Sequence, residues 1–229
     1  MDFANLATKY HGPVAAQYEE TRVGRKWSAE NQAIEELFEH VTFGAKSLDV
    51  PVGTGRLLPF LKARGAEVYG LDVSPDMLAI AQASADAIGI SAQLGIGDIR
   101  QIPFDDGAFD LVTCLRFLNW IDTGDLKYVV GELARVSRGK LLLGIRYLPV
   151  LSDLPRNEQA AVRLAMRTFG VPRFLASRSG LVIHRKSEVE QLFESLNLRI
   201  VEARVVERRC DGTDYVFFLL QRPPIASID

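Results

Sequence analysis

From residue 46 onward, short β-branched runs alternate with amphipathic segments, a pattern that predicts a doubly wound α/β sheet. Residues 46–50 read as a buried strand, followed by a glycine-bearing turn and a helix carrying Leu57, Leu58, Leu61 and Lys62. Pro59 suits that helix start, because the first four N–H groups of a helix have no partner within it. Residues 67–71 are the second strand. Ser74, Pro75 and Asp76 then supply an N-cap hydroxyl, a proline at the first helical position and an acidic first turn for an alanine-rich helix. Strands three and four fall at 92–96 and 109–115, parted by the turn former Asp106-Gly107. Leu126, Val129, Val130 and Leu133 share one helical face ahead of a fifth strand at 140–145. Ser187 to Glu190 reads as a capping box for a helix that buries Val189, Leu192, Phe193 and Leu196. The last two strands, 198–206 and 214–221, are joined by one short loop and should pair antiparallel.

The expected architecture is a single domain over 1–229: a mostly parallel seven-stranded sheet closed by an antiparallel C-terminal hairpin, with two additions. Residues 1–40 form a helical N-terminal extension, 46–148 the ligand-binding core, 149–180 an insertion after strand five, and 181–221 the final helix and hairpin. Ligands of such sheets sit at the carboxyl ends of the strands, so the insertion is expected to act as a lid. Composition narrows the function. With 229 residues, 48% of them apolar, the chain can bury a sizeable core, and a net charge of -2 argues against nucleic acid as partner. Its two cysteines form no CxxC or Cys/His cluster, so neither a disulfide framework nor a metal site is expected. No apolar stretch is long enough to span a bilayer and residues 1–20 lack a signal-peptide pattern; a cytoplasmic protein is the expectation.

The first strand runs into Asp49-Val50-Pro51-Val52-Gly53-Thr54-Gly55, and here the chain resembles the class I S-adenosylmethionine-dependent methyltransferases of the small, seven-stranded, Rossmann-like type. The resemblance covers about residues 46–221. In that family the turn usually reads acidic-x-Gly-x-Gly-x-Gly; Pro51 replaces the first glycine, while Gly53 and Gly55 remain to let backbone approach the methionine half of the cofactor. Asp72, ending strand two, is placed to accept both hydroxyls of an adenosine ribose. By resemblance, Asp98 holds the adenine amino group and the Ile99 N–H meets a ring nitrogen. Val73, Met77 and Leu115 complete the expected cofactor-binding set. Residues 102–112 resemble the family's approach to strand four, with Asp110 structural. A dinucleotide-binding dehydrogenase fits less well, because the third glycine of its G-x-G-x-x-G turn would fall on Leu58.

The resemblance implies S-adenosylmethionine as cofactor and an in-line methyl transfer that requires no dedicated nucleophile. Acceptor contacts are expected from the ends of strands four and five: Arg116, Asn119, Trp120, Arg146 and Tyr147. Between 149 and 186, Arg156, Arg163, Arg167, Arg173, Arg178, Arg185 and Lys186 face only Asp153 and Glu158. That excess, with Arg116 and Arg146, points to a small anionic acceptor, since guanidinium groups match carboxylates and phosphates bidentately. Bland alternatives stand beside this one: arginines on a solvated helix face, a non-catalytic nucleoside-binding domain of the same fold, or a methyltransferase acting on RNA or protein. His184 is a candidate general base and Tyr18 a candidate for closing the pocket, although each residue type also serves in packing. Cys114, inside an apolar strand, reads as core.

Overall fold

In the computed structural model, residues 25–41, 46–149, 182–209 and 212–223 are described, together with Gly12 and Ala160. The strands are β1 (Lys46–Asp49), β2 (Glu67–Asp72), β3 (Ala92–Ile96), β4 (Phe109–Cys114), β5 (Ser137–Leu148), β6 (His184–Arg185), β7 (Arg199–Arg208) and β8 (Asp214–Gln221). Helices are α1 (Arg25–Phe38), α2 (Leu58–Ala63), α3 (Pro75–Ala87), α4 (Thr123–Val136) and α5 (Lys186–Ser195). Their order in the sheet is β3-β2-β1-β4-β5-β8-β7. The first five strands run parallel, and β8 and β7 close the sheet antiparallel. This is the doubly wound arrangement expected from the sequence.

Side-chain alternation sends the two faces of the sheet into two cores. On β5, Leu141, Leu143 and Ile145 pack with Val129, Leu133 and Phe193 from α4 and α5. Leu142 points the other way, with Phe217 and Leu219 of β8, against Ile34 and Leu37 of α1 and Leu58 of α2. Residues 25–38 of the expected N-terminal extension are therefore a core-packed helix. The rest of that extension, apart from Gly12 and residues 39–41, lies outside the described residues, as does the insertion beyond residue 149 apart from Ala160, so the lid expectation falls there.

Local signals placed most element ends correctly. The Ser74 hydroxyl accepts the Met77 N–H at 3.3 Å, with Pro75 opening α3 as expected. Gly107 sits at φ +66° in the turn before β4. Asp110 is structural: it accepts the Lys46 N–H at 3.1 Å and the Arg138 guanidinium at 2.7 and 2.8 Å. Cys114 is fully buried, and that burial pushes its thiol above the ordinary range.

Two expectations need correction. The capping box at Ser187 and Glu190 is displaced: α5 begins at Lys186, and Glu188 Oε2 accepts the Arg185 N–H at 3.3 Å. The displacement follows from β6, an eighth, two-residue strand that pairs His184 with Tyr147 and Arg185 with Leu148, fixing the backbone up to the helix start. β5 is also longer than the sequence pattern indicated, because β8 pairs with it from Lys140 to Tyr147. Among the described residues, no helix is long and apolar enough to cross a membrane.

Candidate active site

The carboxyl ends of β1, β2 and β4 border an open cleft of about 870 Å³, solvent included. Its depth begins with the β1 turn. Gly53 adopts φ +56°, and a Cβ there would touch no protein atom within 4 Å, so this wall of the cleft is bare backbone. Gly55, at φ +84°, serves packing instead, since a Cβ would stand 2.8 Å from Leu58 Cδ1 and 3.3 Å from Ala81.

Asp72 fixes this turn from the neighbouring strand. One of its oxygens accepts the Gly53 N–H at 2.9 Å and the other accepts the Ser74 N–H at 2.9 Å. Asp49, buried, accepts the Thr113 hydroxyl at 2.7 Å, tying β1 to β4. Along with Asp49, Gly53 and Asp72, the cleft gathers Val73, Met77, Leu115, Arg116 and Trp120 from the expected site.

Six of the expected cofactor and acceptor contacts stand outside that lining: Gly55, Asp98, Ile99, Asn119, Arg146 and Tyr147. The Asp98 carboxylate is forked to Arg100, at 3.0 Å from Nε and 2.6 Å from Nη2, and this hydrogen bonding holds its carboxyl below the ordinary range. Ile99 is buried in the core. Asn119 accepts the Arg146 N–H at 2.5 Å, which ties the short 3-10 turn Leu118–Trp120 to β5. Arg146 is itself buried, with Nη2 2.5 Å from Glu207 and Nη1 on the Thr213 hydroxyl at 3.4 Å. Tyr147 lies on the opposite face of the sheet, against Phe218. Arg185 and Lys186, the described members of the basic stretch, lie near Glu188 and Glu190 at 3.9 and 3.8 Å on α5; its other arginines, and Tyr18, lie outside the described residues.

His184 is 1% exposed, its Nε2 3.2 Å from the Leu118 carbonyl and its Nδ1 3.4 Å from the Thr123 hydroxyl. These contacts hold the 3-10 turn, and His184 does not line the cleft. Burial lowers its pKa from the ordinary 6.5. As pH falls below that value the unfolded chain therefore takes up the proton before the folded one, and stability is lost. We expect the urea midpoint of the wild type to drop between about pH 7 and about pH 5, and His184→Gln to flatten part of that drop. Parallel pH profiles of the two proteins would remove the histidine from the account.

Glu30, absent from the expected site, organises the cleft's far wall. It is 0% exposed; its Oε2 accepts Arg56 Nη1 at 2.6 Å and Arg116 Nε at 3.2 Å, and its Oε1 pairs with Arg116 Nη2. Both guanidinium groups lie over the Trp27 ring, 4.5 and 4.7 Å from its centroid. Arg116 holds φ +63°, and its N–H is donated to the Tyr215 hydroxyl at 2.7 Å. Gly144 leaves room for that hydroxyl, which an added Cβ would meet at 2.3 Å. Burial raises the Tyr215 pKa to about 12, so the hydroxyl stays protonated. A signal for Glu30 was present in the sequence: Trp27, Glu30, Ile34 and Leu37 lie at i, i+3, i+7 and i+10, which places a carboxylate on the buried stripe of α1.

Residues 48–140 match the family described as a methyltransferase domain. The demethylmenaquinone methyltransferase of Thermus thermophilus is 46% identical over 138 residues, 59% of this chain and 58% of that protein. The malonyl-[acyl-carrier protein] O-methyltransferase of Salmonella typhimurium is 35% identical over 127 residues, 56% of this chain and 47% of that protein. The chain thus spans about half the length of these curated relatives. Among solved structures, magnesium protoporphyrin IX methyltransferase from Synechocystis PCC 6803 with bound SAH superposes with a TM-score of 0.73 at 16% identity, over 97% of this chain and 100% of that one. Over residues 48–140 the chain thus matches a methyltransferase domain, and its sheet has the Rossmann-like fold of the methyltransferase structure it superposes on.

Proposed function

We propose that this chain transfers a methyl group from S-adenosylmethionine to a small anionic acceptor. The observation that carries the reading is the convergence, at the ends of β1, β2 and β4, of bare Gly53, buried Asp49 and Asp72, and an apolar wall including Met77, Leu115 and Trp120. In this reading Asp72 holds the ribose hydroxyls, Gly53 and Asp49 border the methionine half, and Val73 and Met77 flank the adenine. Asp98 can meet the adenine amino group only by sharing its carboxylate with Arg100, so most of the nucleoside recognition falls to Asp72.

S-adenosylmethionine supplies an electrophilic methyl group on a sulfonium whose positive charge falls in the transition state and is lost in the thioether product. The chain's own part is to hold the acceptor in line and to exclude water, for which Leu115, Phe117 and Trp120 provide dry walls. Support for an anionic acceptor comes from Arg56 and Arg116 in the lining. Arg146, expected to share that role, is committed to Glu207 and leaves it to them.

Calorimetry and a labelled-cofactor assay test the reading. S-adenosylhomocysteine is expected to bind at micromolar levels and NAD not to bind. Methyl transfer is expected with some member of a panel of aromatic and aliphatic carboxylic acids. Binding of NAD in preference to S-adenosylhomocysteine would overturn the cofactor assignment; turnover confined to uncharged acceptors would overturn the anionic one.

A further inference from the structure

β5 outruns its neighbour. β4 ends at Cys114, opposite Leu143, while β5 continues to Leu148. A strand has two edges, and Tyr147 pairs with Asp214 of β8 on one and with His184 of β6 on the other. β6 therefore lies along the edge that β4 has left. In the gap between them the Arg146 N–H is taken by Asn119 Oδ1, so the turn Leu118–Trp120 covers the missing length of strand.

β6 grips the same turn. The Val182 N–H, just before the strand, is donated to the Asn119 carbonyl at 2.6 Å, and His184 Nε2 reaches the Leu118 carbonyl at 3.2 Å. A carbonyl only accepts, so Nε2 carries the proton, and in the neutral ring Nδ1 is left to accept the Thr123 hydroxyl at 3.4 Å. Asn119 and His184 are both buried, which leaves no bulk water to replace these bonds. Trp120, the last residue of the turn, lines the cleft, and so does Phe117 just before it. One titratable side chain thus ties the strand that follows residues 150–181 to a wall of the cleft.

The charges that bear on the ring are Asp122, at the N-cap of α4, and Glu188 on α5; both favour the imidazolium, and burial, the larger effect, opposes it. On β6 itself Arg185 is 80% exposed, Lys186 lies toward Glu190, and the residue opposite on β5 is the uncharged Tyr147. His184 is therefore neutral at pH 7 and takes up its proton below the ordinary 6.5. A charged ring has two donors and no acceptor, so the Thr123 hydroxyl must turn, and a desolvated charge is left against the turn.

We propose that His184 is a positioning residue for the cleft: with β6 it clamps the turn that carries Trp120, and its protonation releases that wall. The methyltransferase reading enters only in naming what the wall faces, the acceptor. In acid the acceptor wall loosens while the end at Asp72 and Gly53, held by β1 and β2, keeps its shape.

The chain has two tryptophans, so Trp27→Phe leaves Trp120 as the only one. In that background, emission wavelength and acrylamide quenching are followed without ligand from about pH 7.5 to about pH 5.5 for His184, His184→Gln and His184→Ala. Far-UV circular dichroism is recorded on the same samples. With His184, emission is expected to shift to longer wavelength and quenching to rise as the pH falls below 6.5, the circular dichroism staying constant. His184→Gln keeps a donor for the Leu118 carbonyl and does not titrate, so its Trp120 should stay shielded throughout. His184→Ala should show the acid-like signal already at neutral pH. A pH-independent Trp120 signal with His184 in place, a glutamine variant that follows the same curve, or circular dichroism that changes together with the fluorescence overturns the clamp. S-adenosylhomocysteine is also titrated, at neutral pH, into wild type and His184→Gln with Trp27 in place, and equal affinities are expected. Its failure to bind either protein overturns the cofactor reading, while the fluorescence judges the clamp independently.

Discussion

Glu30→Ala is expected to lower the free energy of unfolding by about 3–5 kcal/mol, the range for removing one partner from a buried charge cluster. The carboxylate is fully buried, and the side chains of Arg56 and Arg116 retain only 14% and 22% of their exposure. Its loss removes the carboxylate shared by two guanidinium groups that both lie over the Trp27 ring. In a chain of 229 residues this corresponds to a melting-temperature drop on the order of 10 °C. An exposed pair provides the control. Arg138, 49% exposed beside Asp110, should cost under about 1 kcal/mol when changed to Ala. Thermal or urea unfolding of both variants decides the matter, and a Glu30→Ala protein no less stable than Arg138→Ala would show that the cluster contributes nothing to the fold.

The second large effect is expected at Asp72. Asp72→Ala removes the acceptor for the Gly53 and Ser74 N–H groups together, and each orphaned donor costs about 1–3 kcal/mol. Because Gly53 borders the cleft and Ser74 caps α3, one substitution loosens the turn, the helix start and the proposed ribose contact at once. We expect S-adenosylhomocysteine affinity to fall roughly ten- to hundred-fold, with a measurable loss of stability. Asp72→Asn, which keeps one acceptor oxygen, should fall between wild type and alanine in both measurements. Calorimetric affinity equal to wild type in the alanine variant would remove Asp72 from the site.

These two residues differ in how visible they were beforehand. Asp72 was legible because it ends a short strand pattern, residues 67–71, and precedes the Ser74-Pro75 helix start; its role follows from neighbours close in the chain. Gly53, Val73, Met77 and Leu115 were legible for the same reason, since each lies at or near the end of a predicted strand. Glu30 was overlooked, although its place on the apolar stripe of α1 could be read, because its partners lie 26 and 86 residues away. The stripe marks a buried carboxylate without saying what neutralises it.

The periodicity of the chain by itself determined the βα order, the antiparallel closing hairpin and the glycine turn at the end of β1, because hydrophobic period, capping and turn chemistry act over a few residues. Tertiary structure decided which way the polar side chains were spent. Arg146 sits at a strand end, as expected of an acceptor contact, yet β7 brings Glu207 from 61 residues away to within 2.5 Å and draws it into the fold. Arg116 sits at the neighbouring strand end and lines the cleft, because α1 and β8 bring Glu30 and Tyr215 to it. The two arginines are alike in local sequence context and differ in what the sheet order sets beside them. A buried charge is settled by its nearest counter-charge, and that distance exists only once the strands have paired.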